Sequence, residues 1–155
     1  MSSLQQELKQ SRPFSSLEEE AMLSIARTAA MLDHAHAEGF RPFGITPTQY
    51  NVLRILRGAG ETGLCRNEVR ERLIARVPDT TRLLDRLAEM ELISRDRDTP
   101  DRRFVTTRIT QAGLDLLARM DEPVRRMHQE QVGHVPPERL RLLIDILAEV
   151  RNSAG

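Results

Sequence analysis

Apolar residues recur along most of this chain at helical spacing. Between Leu17 and Ala37, Ala21, Ile25, Thr28, Ala29, Leu32 and His36 lie on one stripe of period 3.6, which predicts a first long helix ended by Gly39 and Pro42. Thr46, Pro47 and Gln49 then read as a helix start. Thr46 takes the cap, Pro47 the first helical position, and Gln49 reaches back to the cap amide. The second helix is expected to run to about Arg57, followed by a loop from Gly58 to Gly63. Cys65 and Glu68 repeat the capping pattern with sulfur in place of a hydroxyl and open a third helix through Ile74; a fourth spans Pro78 to Met90. The period then changes. Leu92 to Arg95 reads as one strand, and Phe104, Val105, Thr106 and Thr107 favour a second, while Pro100 with Asp98 and Asp101 suits the turn between them. Thr110 caps a fifth helix, Gln111 to Gln131, in which Pro123 predicts a kink. Pro136, Pro137 and Glu138 open the last helix. Its Leu140, Leu143, Ile144, Leu147 and Val150 form a stripe that Leu142 and Ile146 widen beyond what one small neighbour would cover, so a second chain is the economical partner. There is no internal repeat and no low-complexity linker.

This order predicts a mainly α chain with a small β-hairpin wing, an α+β class, in which the third and fourth helices form a helix-turn-helix. Helix, strand, basic tip, strand and helix make the layout of a DNA reader. The wing stands as Asp98-Thr99-Pro100-Asp101-Arg102-Arg103, a β run, then Ile109-Thr110-Gln111-Ala112-Gly113. It resembles the wing of the MarR family of bacterial transcription regulators, where Asp-Pro-x-Asp-Arg-Arg precedes a β run and Leu-Thr-x-x-Gly. The proline falls one place later here, and the family's frequent glycine after the recognition helix is Glu91. The resemblance extends over nearly the whole chain, from a first helix near Leu17 to a last one ending near Val150. It implies a winged helix-turn-helix with flanking dimerisation helices: one domain over 1–155, a DNA-binding lobe at 46–110, and dimerisation helices at 14–38 and 111–152. Two recognition helices would then face half-sites about 10 base pairs apart.

A helical projection of the fourth helix puts Leu83, Leu84, Leu87, Met90 and Thr80 on one side, with Pro78, Arg82, Asp85 and Glu89 opposite, flanked by Thr81 and Arg86. The first turns are expected in the major groove. Arg82 or Arg86 can bond guanine O6 and N7 in a bidentate way, and Thr81 can meet a thymine methyl or a phosphate. The competing reading is a solvated face whose Arg82, Asp85, Arg86 and Glu89 pair at helical spacing. On the wing, the resemblance implies that Arg103 reaches into the minor groove while Asp101 orients the tip. Arg95, Arg97, Arg102 and Arg108 are expected on phosphates or internal carboxylates. The candidate DNA contacts are thus Pro78, Thr80, Thr81, Arg82, Arg86, Asp101, Arg102 and Arg103.

Composition narrows the alternatives. With 155 residues and 39% apolar content the chain can bury the core of one ordinary domain. No apolar run reaches the roughly 18 residues that span a bilayer, and the first ten residues are polar, so no membrane association and a cytoplasmic location are expected. One cysteine makes no internal disulfide and no cysteine-based zinc cluster. Aromatic residues at 3% leave little for base-stacking platforms. The formal net charge is +0, which by itself argues for no polyanion, but from Arg95 to Arg108 five arginines stand against three aspartates, an excess of two positive charges. For catalysis the chain offers no phosphate-binding glycine loop, no Gly-x-Ser-x-Gly elbow and no metal-ligand cluster, and Asp98 with Asp101 would sit exposed at an arginine-rich tip. Neither enzyme nor cofactor is expected.

Two further candidates are weaker. Cys65 at a helix start gains thiolate character, but oxidant-sensing members of the resembled family carry their cysteine in the first helix, so a redox role is disfavoured. His34 and His36 stand about 200° apart around a helix, wrong for a shared metal; they are candidates for lining the effector pocket that family members hold between the dimer helices and the lobe. The resulting expectation is a homodimeric regulator on a pseudo-palindromic operator, a repressor released by a small molecule. The alternative is a winged helix that binds another protein.

Overall fold

The capping signals are realised as hydrogen bonds in the computed structural model, which describes residues 3–96, 100–101 and 104–153. Among these residues the elements run α1 (Ser3–Glu7), α2 (Leu17–Phe40), a 3-10 turn (Arg41–Phe43), α3 (Pro47–Ala59), a second 3-10 turn (Gly60–Thr62), β1 (Leu64–Cys65), α4 (Arg66–Arg72), α5 (Thr80–Glu89), β2 (Ile93–Arg95), β3 (Thr106–Ile109), α6 (Gln111–Val132) and α7 (Pro137–Ser153). The fold is mainly helical with a small antiparallel sheet, a winged helix-turn-helix as expected. At α3 the Thr46 hydroxyl accepts the Gln49 N–H at 3.1 Å and the Gln49 side chain accepts the Thr46 N–H at 3.0 Å. Ser16 opens α2 by accepting the Glu19 N–H at 3.1 Å, and at α4 the Glu68 carboxylate accepts the Cys65 N–H at 2.8 Å.

The sheet has three strands in the order β1-β3-β2, where the sequence predicted a two-stranded hairpin. β1 pairs Leu64 with Thr107 and Cys65 with Thr106; β2 pairs Ile93 with Ile109 and Arg95 with Thr107. Two residues of β1 are too few to show a period of two, so only the pairing reveals the strand. Gly63 makes the pairing possible: at φ +65° a Cβ there would stand 2.6 Å from the Thr107 carbonyl oxygen.

Helix ends also move for tertiary reasons. α2 continues past Ala37 and through Gly39 because Phe40 is buried against Tyr50, ring centroids 4.7 Å apart, and burial of an aromatic ring outweighs the cost of about 1 kcal/mol for a helical glycine. α4 stops at Arg72 rather than Ile74. Leu73 turns extended (ψ 136°) to enter the core, and the Asn51 side chain accepts the Ile74 N–H at 2.9 Å. α5 starts at Thr80, not Pro78, because Asp79 caps it by accepting the Arg82 N–H at 2.9 Å. α6 runs from Gln111 to Val132 with Pro123 inside it, so the Arg119 carbonyl lacks its helical donor.

The turn after α5 answers the departure at Glu91. Glu91 takes φ 60°, the left-handed conformation a glycine would supply, and its N–H donates to Ala88 O at 2.9 Å while Leu92 N–H donates to Leu87 O at 3.1 Å. These two bonds make a Schellman motif, and its apolar partners Leu87 and Leu92 are both buried.

One core joins α3, α4, α5, the sheet and the first half of α6. Val52, Leu53, Leu56, Val69, Leu87, Leu117 and Met120 are fully buried in it, and burial of each large aliphatic side chain contributes roughly 1.5–3 kcal/mol. Arg57 ties α3 to α6 through a forked bond to Asp121 at 3.0–3.1 Å. Outside the core, α2 buries only Phe40 and α7 buries no residue. No described helix is long and apolar enough to cross a membrane.

Candidate nucleic-acid interface

α5 is amphipathic, and the core fixes which side faces out. Leu84 and Leu87 are buried while Pro78, Arg82, Arg86 and Glu89 are exposed, as the helical projection predicts. Thr80 is corrected by the structure. It is 6% exposed with its hydroxyl buried and unpartnered, because it starts the same stripe as Leu84 and Leu87, so it supports the helix from below and is not presented to a groove. Thr81 is half-buried, its hydroxyl oxygen accepting from Arg66 of α4 at 3.1 Å, which leaves the hydroxyl proton free to donate to a phosphate.

The pairing at helical spacing that the solvated-face reading expects is not formed among the described residues. Asp85 bonds not to a helical neighbour but to Arg95 of β2, at 2.6 Å. Among the described residues the guanidinium groups of Arg82 and Arg86 hold no ion pair. They stand exposed on a face whose one inward carboxylate is already neutralised, the arrangement bidentate guanine contacts need. Arg108 of β3 reaches Asp96 at 2.7 Å and the Glu61 carbonyl at 2.7 Å. Arg95 and Arg108 therefore serve internal carboxylates, one of the two roles expected of them.

At the wing tip Asp101 is half-buried and its carbonyl accepts the Phe104 N–H at 3.0 Å. Phe104 is 66% exposed. Arg102 and Arg103, with Arg97, Asp98 and Thr99, lie outside the described residues. The base of the wing is tightly built. Thr110 donates its hydroxyl to Glu91 O at 2.7 Å and accepts the Gly113 N–H at 3.1 Å, joining the turn after α5 to the start of α6. Gly113 is required here by close approach, since a Cβ would come within 2.4 Å of Leu92 O.

A cavity of about 330 Å³ opens between the end of α2 and the middle of α6, lined by Phe40, Phe43, Val124, Met127, Glu130 and Gln131 among others. Neither His34 nor His36 lines it. His34 is exposed, and His36 sits behind the wall, stacked on Phe40 at 6.0 Å and edge-on to His128 at 5.9 Å. Segments some eighty positions apart build this cavity, so no local pattern announced it; the pair Arg66–Thr81 and the bond Asp85–Arg95 are hidden from a linear reading for the same reason. Cys65 is partly buried at the start of α4.

The model for the MarR family matches residues 45–105. Among curated proteins the chain is similar to the HTH-type transcriptional regulator YdgJ of Bacillus subtilis (strain 168), 28% identical over 110 residues, covering 71% of this chain and 66% of that regulator, just under two thirds of its length. Among solved structures it is similar to a MarR transcription factor from Planctomyces limnophilus, 38% identical with a TM-score of 0.68, covering 88% of this chain and 98% of the other. It is also similar to a mutant MarR from E. coli complexed with operator DNA, 25% identical with a TM-score of 0.75, covering 88% and 99%. With the capped recognition helix, the three-stranded wing and these likenesses over most of its length, the chain belongs to the MarR family of winged-helix transcriptional regulators.

Proposed function

We propose that the protein is a homodimeric, sequence-specific binder of double-stranded DNA that acts at a pseudo-palindromic operator as a repressor and is released by a small molecule. The observation that carries the reading is the exposed Arg82 and Arg86, without an ion pair among the described residues, on a recognition helix whose other side is locked into the core. Pro78, Thr81, Arg82 and Arg86 meet the major groove, and the wing residues Asp101, Arg102 and Arg103 follow the adjacent minor groove. The likeness to a MarR bound to operator DNA supports this geometry. Dimerisation is supported by the apolar surface that α2 and α7 leave uncovered, including Leu17, Met22 and Met31 on one and Leu142, Ile144 and Ile146 on the other.

Release by a small molecule rests on the cavity between α2 and α6. A ligand there touches both a dimer helix and the helix leaving the lobe, and it weakens DNA binding by as much as it prefers the lobe spacing that does not fit DNA. The test is fluorescence anisotropy on the promoter fragment beside the protein's own gene, against a shuffled fragment, at two salt concentrations. Tight, selective binding with a steep salt slope is expected, and Arg82→Ala should weaken it by about tenfold or more. Equal, weak and salt-insensitive binding to both fragments would discard the reading in favour of a protein-binding winged helix.

A further inference from the structure

Just ahead of the recognition helix lies a cleft of about 380 Å³, lined by Arg70, Glu71, Leu73, Arg76 and Val77. Arg70 and Glu71 come from the last turn of α4, the other three from the segment that leads into α5. That segment is fastened along its length. Leu73 is buried, the Asn51 side chain accepts the Ile74 N–H at 2.9 Å, and Asp79 caps α5 through the Arg82 N–H at 2.9 Å. Val77 packs against the core, and Pro78 behind it disfavours helical backbone there. Arg76 therefore stands on a fixed stretch of chain.

The cleft carries two guanidinium groups and one carboxylate, a net charge of +1. All three side chains belong to exposed residues, and among the described residues none of them holds an ion pair. Two like charges lining one wall repel, and an anion between them relieves the repulsion through charge-assisted hydrogen bonds. A helix-turn-helix sets the first turns of its second helix in the major groove while its first helix crosses the DNA backbone. Arg76 lies two residues before Pro78, where the proposed major-groove face begins, and Arg70 lies near the end of the crossing helix. The cleft thus belongs where the phosphates border that groove.

We propose that Arg70 and Arg76 together hold one backbone phosphate of bound DNA, and that Glu71 in the same wall limits the strength of the grip. The proposal rests on the reading of the protein as a DNA binder. The contact reads no bases, so it strengthens operator and unrelated DNA alike. The test is fluorescence anisotropy of the full chain on the promoter fragment beside its own gene and on a shuffled fragment, across a series of salt concentrations. Arg70→Ala and Arg76→Ala should each weaken both fragments by a similar factor, about tenfold at low salt. The double variant should lower the salt slope by about one, where two separate phosphates would take it down by about two. Glu71→Gln should tighten both fragments alike, by a factor of about two. Arg72→Ala removes an exposed arginine of the same helix that does not line the cleft, and should change little. Thermal melts establish that the variants fold.

Unchanged affinity in Arg70→Ala or Arg76→Ala, a loss confined to the promoter fragment, a slope lowered by two in the double variant, or an equal loss in Arg72→Ala would overturn the proposal. A Glu71→Gln variant that binds no tighter would overturn the part given to the carboxylate. A parent that binds neither fragment sinks the DNA reading and the cleft with it. If the parent binds selectively and Arg82→Ala weakens it while Arg70→Ala and Arg76→Ala do not, the cleft alone fails and serves another anion, such as an acidic protein segment.

Discussion

The winged lobe and the helical arms both carry apolar faces and bring them to opposite states. In the lobe, Leu53, Leu56 and Leu87 are wholly buried; on the arms, Leu17 is 78% and Ile144 62% exposed. α6 belongs to both, with Leu116, Leu117, Met120 and Val124 in the core and Val132 exposed at its far end. The lobe thus buries its large aliphatic side chains within one chain, whereas the arms leave much of their apolar surface exposed. A change to the arms should alter assembly and leave the lobe folded, and a change to the lobe should alter stability and leave assembly to the arms.

The largest effect is expected from the arms. Replacing Leu143 and Ile144 with glutamate puts two charges on a face already exposed in the single chain, so the fold has little to lose, while a partner helix would have to bury them. The double variant should run as a monomer by light scattering and keep the helical circular dichroism of its parent. Because two half-sites no longer act together, its operator affinity should drop by about 10²–10⁴-fold. A variant that stays dimeric would place the interface elsewhere, and one that unfolds would refute the independence of the lobe.

Gly113→Ala attacks the other side of the comparison. Its Cβ would meet the Leu92 carbonyl oxygen at 2.4 Å and Ile109 Cγ1 at 2.6 Å, both held by the sheet and the Thr110 bonds. Crowding of this kind costs typically 1–3 kcal/mol, so urea melts should lose about 2 kcal/mol while the oligomeric state is kept. An unchanged midpoint would mean the base of the wing is softer than its hydrogen bonds imply. Glu91→Gly should move the same melts the other way, by about +1 kcal/mol, because Glu91 holds a left-handed φ of 60° that glycine adopts without strain. A loss of stability instead would show that the Glu91 side chain contributes more than its backbone costs.

What could be read from the chain beforehand follows the same division. Thr46, Pro47 and Gln49 announce α3 because capping is settled within four residues, and the stripes of α2, α6 and α7 show because each helix keeps one apolar side over many turns. α1 and β1 were not legible. α1 is a polar segment whose Leu4 and Gln5 are buried only in the folded chain, and β1 exists only because β3 lies beside it. Of the recognition face, Arg82 and Arg86 point outward as periodicity expects; Thr80, a candidate contact, is buried because it shares the stripe of Leu84. The cavity was invisible, and the histidines proposed for it lie off its walls, because its lining is brought together only when α2 packs on α6.

The smallest effect distinguishes the two regions by acid. Glu19 at the start of α2 is held below the ordinary 4.5 by bonds from the Ser15 hydroxyl and N–H, and Glu68 at the start of α4 is held below it by the Cys65 N–H. A depressed carboxylate stabilises the folded state above its ordinary value, and that contribution is lost as pH falls through the lowered one. Both groups are exposed, so each effect is small and weaker in salt. Glutamine at either position keeps an acceptor and removes the titration. Glu68→Gln should therefore melt slightly earlier than the parent at neutral pH and converge with it in acid, in a probe of lobe unfolding. Glu19→Gln should show the same convergence only in a probe of the arms, such as the dimer dissociation midpoint. If Glu19→Gln shifts the lobe's melt as much as Glu68→Gln does, the arms and the lobe unfold as one unit and their separation within the single chain does not extend to the assembled protein.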